Sequence, residues 1–126
     1  MAIEGFQEIG LALEKARKRA KREHAVESVA AAYLDFAASS PGLFEVMFLH
    51  SLSVPFADAA TPPELHFAFA QRRELFQGQG SKSEVITELF WASLNGIAEL
   101  TRTKRFPRSR PKERVSEIVK PFTFPR

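Results

Sequence analysis

The apolar residues of this 126-residue chain recur at helical spacing along nearly its whole length, and this periodicity constrains the fold most strongly. Near the N-terminus Ile3, Phe6, Ile9 and Leu13 repeat every three or four residues, which places them along one face of a helix. No segment alternates apolar and polar residues between hairpin turns, as a half-buried strand would. The pattern therefore predicts an all-α fold.

Prolines, glycines and capping residues divide the chain into six predicted helices that form a bundle. Pro41 ends one helix and suits the first turn of the next. Ser81 followed by Glu84 has the spacing of a capping box. The length fits a single domain, residues 1–126, with one core. The predicted helices cover residues 2–22, 25–39, 42–50, 61–77, 81–105 and 111–121.

The net charge of +3 is concentrated in two basic clusters, residues 15–22 and 102–114. Such clusters can bind the phosphates of nucleic acids. The sequence favours a different interpretation: the first cluster lies at a solvated helix end, where bases complement the helix dipole, and the second spans two prolines and indicates a loop. No apolar run approaches the roughly 18 residues that a membrane-spanning helix needs, and the N-terminus does not resemble a signal peptide. We therefore expect a cytoplasmic protein that does not enter a membrane.

The sequence contains no recognisable catalytic arrangement. It has no cysteine, and hence neither a thiolate nucleophile nor a cysteine zinc site. Residues 78–83, GQGSKS, lack the glycine spacing and the preceding strand of a phosphate-binding loop. The three histidines fall on different predicted elements, so no Glu-x-x-His pairs face each other as in a di-iron bundle. We expect a protein that is not an enzyme and that has no catalytic residues, cofactor or metal.

Phenylalanine accounts for twelve of the fourteen aromatic residues, and these residues come from successive segments that must share one interior. They could fill a solid core. They could also line a cavity, because apolar walls with a few polar groups are typical of sites for small apolar ligands. The sequence alone leaves both interpretations open.

Two separated stretches resemble the C-terminal ligand-binding domain of TetR-family transcriptional regulators: AAYLDFAASSPGLFEVMF (31–48) and LFWASLNGIAEL (89–100). The second is most similar to the subgroup named for a Trp-x-x-x-His-Gly motif. Trp91 and Gly96 stand at the motif positions, and Asn95 replaces the histidine. Residues 5–16 resemble the family's linking helix. Nothing in the sequence resembles the family's helix-turn-helix headpiece, so we expect DNA contact only through a headpiece missing from this chain.

The resemblance implies the effector-binding and dimerisation domain of a repressor. A homodimer would form as a four-helix bundle from residues 81–105 and 111–121 of each copy. The apolar and aromatic residues of the expected pocket suggest that the effector is a small hydrophobic or aromatic molecule. The residues expected to bind the effector are Tyr33, Phe36, Phe44, Met47, Phe48, His50, Phe67, Phe90, Trp91 and Asn95. Those expected at the dimer interface are Leu89, Ser93, Ile97, Val115, Ile118, Val119 and Phe122.

Two further functions remain open from the sequence. A free-standing helical bundle could bind, carry or transform a small hydrophobic ligand, and an in-frame helix-turn-helix upstream would argue against this alternative. A basic nucleic-acid-binding module could use the two basic clusters. Such binding should be strongest at low salt, where a gel-shift assay with nonspecific duplex would detect it.

Overall fold

The computed structural model describes residues 2–45 and 63–124, and this part of the chain is helical and contains no strand. The described α-helices are α1 (Ala2–Arg19), α2 (Ala25–Ser39), α3 (Pro63–Arg73), α4 (Ser83–Arg102) and α5 (Pro111–Ile118). Residues 41–45 are also helical. Turns of 3₁₀ helix occupy Arg22–His24, Glu74–Lys82 and Lys120–Phe122. The predicted all-α fold is confirmed.

Helices α1 and α2 follow the predicted pattern closely. In α1, Phe6, Ile9 and Leu13 are buried along the predicted face. The helix ends at Arg19 instead of the predicted residue 22, because Lys21 adopts an extended backbone conformation. Helix α2 has the predicted bounds, 25–39.

Helix α1 packs more extensively against α3 than against any other described element. A glycine makes this close approach possible: a Cβ atom at Gly10 would lie 2.5 Å from Cδ2 of Phe67 on α3. Near its C-terminal end, α1 is also tied to α2, where the Ser28 hydroxyl donates a 3.0 Å hydrogen bond to the carbonyl of Ala16. The long first helix is thus held against both neighbours.

The boundary between α3 and α4 differs from the prediction, which placed helices at 61–77 and 81–105. Helix α3 ends at Arg73, and 3₁₀ turns continue to Lys82, with positive φ (62°) at Gly80. The predicted capping box is wrong: α4 begins at Ser83, its N-cap is Lys82, and no side chain caps it. Ser81 lies within the 3₁₀ segment, so it cannot occupy the extended N-cap position.

The last helices are also shorter than predicted. Helix α4 ends at Arg102 because Lys104 adopts a left-handed conformation (φ 64°), and the next two amides both donate to the carbonyl of Leu100. Helix α5 ends at Ile118, before Pro121, which has no amide hydrogen to continue a helix.

Phenylalanines from three elements pack against one another in the core. The ring of Phe90 on α4 lies 5.3 Å from Phe76 and 5.2 Å from Phe122, both in edge-on arrangements. Phe124 adds a fourth ring, 6.3 Å from Phe76. At this place the phenylalanine side chains fill a packed core.

Candidate functional site

A buried arginine lies at the centre of the described helices. Arg72 belongs to the last turn of α3, yet only 3% of its surface is exposed. Its guanidinium lies 5.6 Å from the ring centroid of Tyr33 on α2 and 5.8 Å from that of Trp91 on α4. Its Nε atom is buried and has no hydrogen-bond partner among the described residues.

Tyr33 connects this arginine to the Asn-Gly step of α4. Its hydroxyl donates a 3.2 Å hydrogen bond to Oδ1 of Asn95, and its ring meets Phe44 edge-on at 5.8 Å. Asn95 follows Trp91 by one helical turn, so both side chains reach the same region. We call Tyr33, Phe44, Arg72, Trp91 and Asn95 the Arg72 cluster.

Burial controls the electrostatics of the cluster. Loss of water lowers the pKa of Arg72 to about 10, and its interaction with Tyr33 opposes this fall only in part. Burial likewise raises the pKa of Tyr33 to about 12, while the charge of Arg72 and a hydrogen bond from Trp91 act in the opposite direction. The phenol is therefore neutral near pH 7, and it does not supply the anion that a buried guanidinium would normally pair with.

The sequence predicted four members of the cluster as ligand-binding residues, Tyr33, Phe44, Trp91 and Asn95, but it missed Arg72. Two consecutive arginines at a helix end are typical of a solvated terminus that complements the dipole. The spacing could have indicated the burial of Arg72. Ala68 and Arg72 are four residues apart on α3, which places them on the same face, and both are buried. Only Arg73 follows the expected pattern and is exposed.

The other residues predicted to bind a ligand lie elsewhere. Phe67 is packed against Gly10 at the contact of α1 with α3. Phe90 belongs to the packed phenylalanine core, and Phe36 is partly buried at the edge of the main core. Met47, Phe48 and His50 lie outside the described residues.

A separate cleft of about 630 Å³ lies between α2, the end of α4 and the start of α5. Its volume is within the range of about 300–1,000 Å³ that is usual for small-molecule sites. None of the ten predicted ligand-binding residues lines it, although Ile97 and Val115, predicted for the dimer interface, do. The lining is mainly apolar, with charged side chains at Glu27, Asp35, Arg102, Arg108, Lys112 and Arg114.

The residues predicted for a dimer interface divide into two groups. Val115, Val119 and Phe122 are buried within the chain's own core, and Ile118 is partly buried against it. On α4, Leu89 is 56% exposed, and Ser93 and Ile97 are partly exposed. Val85 lies one turn before Leu89 and is similarly exposed. Leu89 is therefore the large apolar side chain of this set that is exposed among the described residues.

The described part of the chain lacks two kinds of feature. Residues 2–45 and 63–124 contain no group of three or more metal-ligating side chains. Within the same ranges, no helix is both long and apolar enough to span a membrane.

The described residues form an all-α bundle with a polar and aromatic cluster between α2, α3 and α4. Comparison of the sequence with protein families finds a match over residues 26–120 to the family described as "Tetracyclin repressor-like, C-terminal domain". The chain belongs to this family of regulator domains. Neither the curated proteins nor the solved structures include a match to the chain.

Proposed function

We propose that residues 1–126 form the effector-binding and dimerisation domain of a cytoplasmic TetR-like repressor. In this proposal the effector is a small, largely apolar molecule, and DNA is bound through a helix-turn-helix headpiece outside this chain. Trp91, Asn95 and Gly96 would make it a variant of the Trp-x-x-x-His-Gly subgroup. The observation that carries the proposal is the Arg72 cluster: Tyr33 and Trp91 lie beside a buried, incompletely bonded arginine, and Tyr33 in turn contacts Phe44 and Asn95.

The contacts of α3 suggest how an effector could act on the linking helix. Gln71 is buried beside Arg72, and its Oε1 atom accepts hydrogen bonds from Arg17 of α1, at 3.0 Å from Nη2 and 3.3 Å from Nε. Gly10 and Phe67 form a second contact between the same helices. An effector that moves Arg72 would move α3, and these contacts would pass the movement to α1. The effector would then bind one position of α1 more tightly than another, as allosteric control requires.

The dimer interface is proposed to centre on the exposed apolar face of α4. Val85 and Leu89 lie one turn apart, and a second copy would remove both from water. Gly96 lies further along α4, where an added Cβ would meet no described atom within 4 Å. A glycine in that position leaves room for the backbone of a partner helix.

Trp91, the single tryptophan, provides a direct test of effector binding. Small hydrophobic compounds that enter the Arg72 cluster should change its fluorescence saturably, and Asn95→Ala should weaken the response, because Tyr33 loses its hydrogen-bond acceptor. Gln79→Ala, a change in the 3₁₀ segment outside the Arg72 cluster, serves as control. A saturable response that is identical in the wild type and in Asn95→Ala would place the ligand outside the cluster.

A further inference from the structure

The charge of Arg72 lacks an obvious anion within the described residues. Glu99 is close enough to influence Tyr33 electrostatically, but both of its carboxylate oxygens bind Arg102, at 3.1 and 2.9 Å. Glu45 also pairs with Arg102, at 3.6 Å. The two acids are thus engaged by a different arginine, and Arg72 is left with aromatic neighbours.

Cation–π contacts with Tyr33 and Trp91 hold the guanidinium without using its hydrogen-bonding capacity. An arginine side chain has five N–H donors in a fixed plane, and this arrangement matches the two oxygens of a carboxylate. The aromatic rings stabilise the charge and restrict its orientation, but they accept no conventional N–H hydrogen bond from it. The buried Nε atom shows that at least one donor remains available.

We propose that the effector of this domain is an amphipathic acid whose carboxylate pairs with Arg72 while its apolar body lies against Trp91 and Phe44. This inference rests on the proposed effector-binding function and adds the chemical class of the effector. Asn95 contributes a second polar group, because its Oδ1 atom accepts from Tyr33 and its amide nitrogen can still donate. A neutral molecule of the same shape would leave the buried guanidinium without an anion.

The test compares matched acids and amides on the full chain. Octanoate and octanamide, and 3-phenylpropionate and 3-phenylpropanamide, are titrated while the fluorescence of Trp91 is recorded. Each acid should bind about 10- to 100-fold more tightly than its amide, as expected when a charged pair replaces a neutral contact. Arg72→Met should reduce the affinity for the acid to that for the amide and leave the affinity for the amide nearly unchanged.

Arg73→Met is the matched control. Arg73 is the adjacent residue in sequence and also lies near an aromatic ring, Phe69 at 5.9 Å, but it is exposed. Its replacement should preserve the preference for acids. Circular dichroism of each variant verifies folding, and the comparison of acids with amides in the wild type stands even if Arg72→Met does not fold.

The possible results separate this inference from the proposed function. Amides that bind as tightly as acids, or an acid preference that survives in folded Arg72→Met, would overturn the anionic effector but leave an effector-binding domain. If no acid or amide affects Trp91, the inference and the proposed function both fail.

Discussion

Replacing Arg72 with methionine should stabilise the ligand-free domain, although it removes the largest polar side chain of the interior. The pKa of Arg72 falls from 12.5 to about 10 in the folded protein. At about 1.4 kcal/mol per pKa unit, the folded state bears a cost of roughly 3 kcal/mol for keeping this group charged. Methionine carries no such cost and fills a similar elongated volume.

The loss of the aromatic contacts opposes this gain. The guanidinium lies near Tyr33 and Trp91, and its two cation–π contacts contribute about 1 kcal/mol each, or about 2 kcal/mol together. We therefore expect Arg72→Met to raise the free energy of unfolding by about 1 kcal/mol, the difference between the two effects. Arg73→Met, at an exposed position, should change it by less than about 0.5 kcal/mol.

Urea denaturation followed by far-ultraviolet circular dichroism measures both variants, and this signal is preferable to fluorescence because Trp91 itself contacts Arg72. A loss of stability of about 3 kcal/mol or more would refute the reasoning. It would mean that the guanidinium is paired in the folded domain, since breaking a buried ion pair has that cost. The proposed carboxylate site would then already be filled.

Three further predictions concern the phenol, the dimer face and the packing of α1. Tyr33 is the single tyrosine, so ultraviolet titration should show its pKa near 12 in the folded chain and about 10 in denaturant. Because burial raises this pKa, the stability from Tyr33 is complete below pH 10, and about 3 kcal/mol is lost between pH 10 and 12. Leu89→Asp should weaken dimerisation ~100-fold or more in sedimentation, whereas Leu11→Asp, equally exposed on α1, should not. Gly10→Ala should destabilise by about 1–3 kcal/mol in urea, because the new methyl would overlap Phe67, whereas Gly96→Ala should not destabilise the monomer.

Each of these predictions has a result that contradicts it. A phenol that titrates near pH 10 while circular dichroism remains native would show that water reaches Tyr33. Equal effects of the two leucine substitutions would remove α4 as the dimer face. A Gly10→Ala variant as stable as the wild type would mean that α1 and α3 can separate without cost, which the proposed coupling between them does not allow.

Helical periodicity predicted the fold because burial of an apolar face determines where a helix forms, whereas local backbone geometry determines where it ends. Helix α2 was predicted with its correct bounds because Pro41 marks its end in the sequence. Helix α4 ends three residues earlier than predicted through the left-handed conformation of Lys104. Any residue other than glycine adopts that conformation rarely, so no propensity indicates it in advance.

The sequence indicated some residues of the Arg72 cluster but not the arginine itself. Resemblance to a family indicated Tyr33, Trp91 and Asn95, because these residues belong to the matching stretches. Arg72 lies outside those stretches, and its residue type argues for exposure. Its burial follows from tertiary packing, since the contacts that enclose it come from α2 and α4, distant in sequence. Amino-acid composition does not reveal that such a charge is buried. The contacts that enclose it are seen only in the assembled fold.

The Asn95-Gly96 step, unfavourable within a helix, now has a physical explanation that involves three faces of α4. Successive residues of a helix are rotated by about 100°, so neighbouring positions serve different surroundings. Leu94 packs in the core, Asn95 accepts a hydrogen bond from Tyr33, and Gly96 meets no described side chain. Helix α4 thus contributes one face to the core, a second to the Arg72 cluster and a third to the proposed dimer surface. A ligand that moves α4 as a unit through Asn95 would also shift the face around Leu89, so the affinity for effector and the affinity for a second copy should be thermodynamically linked.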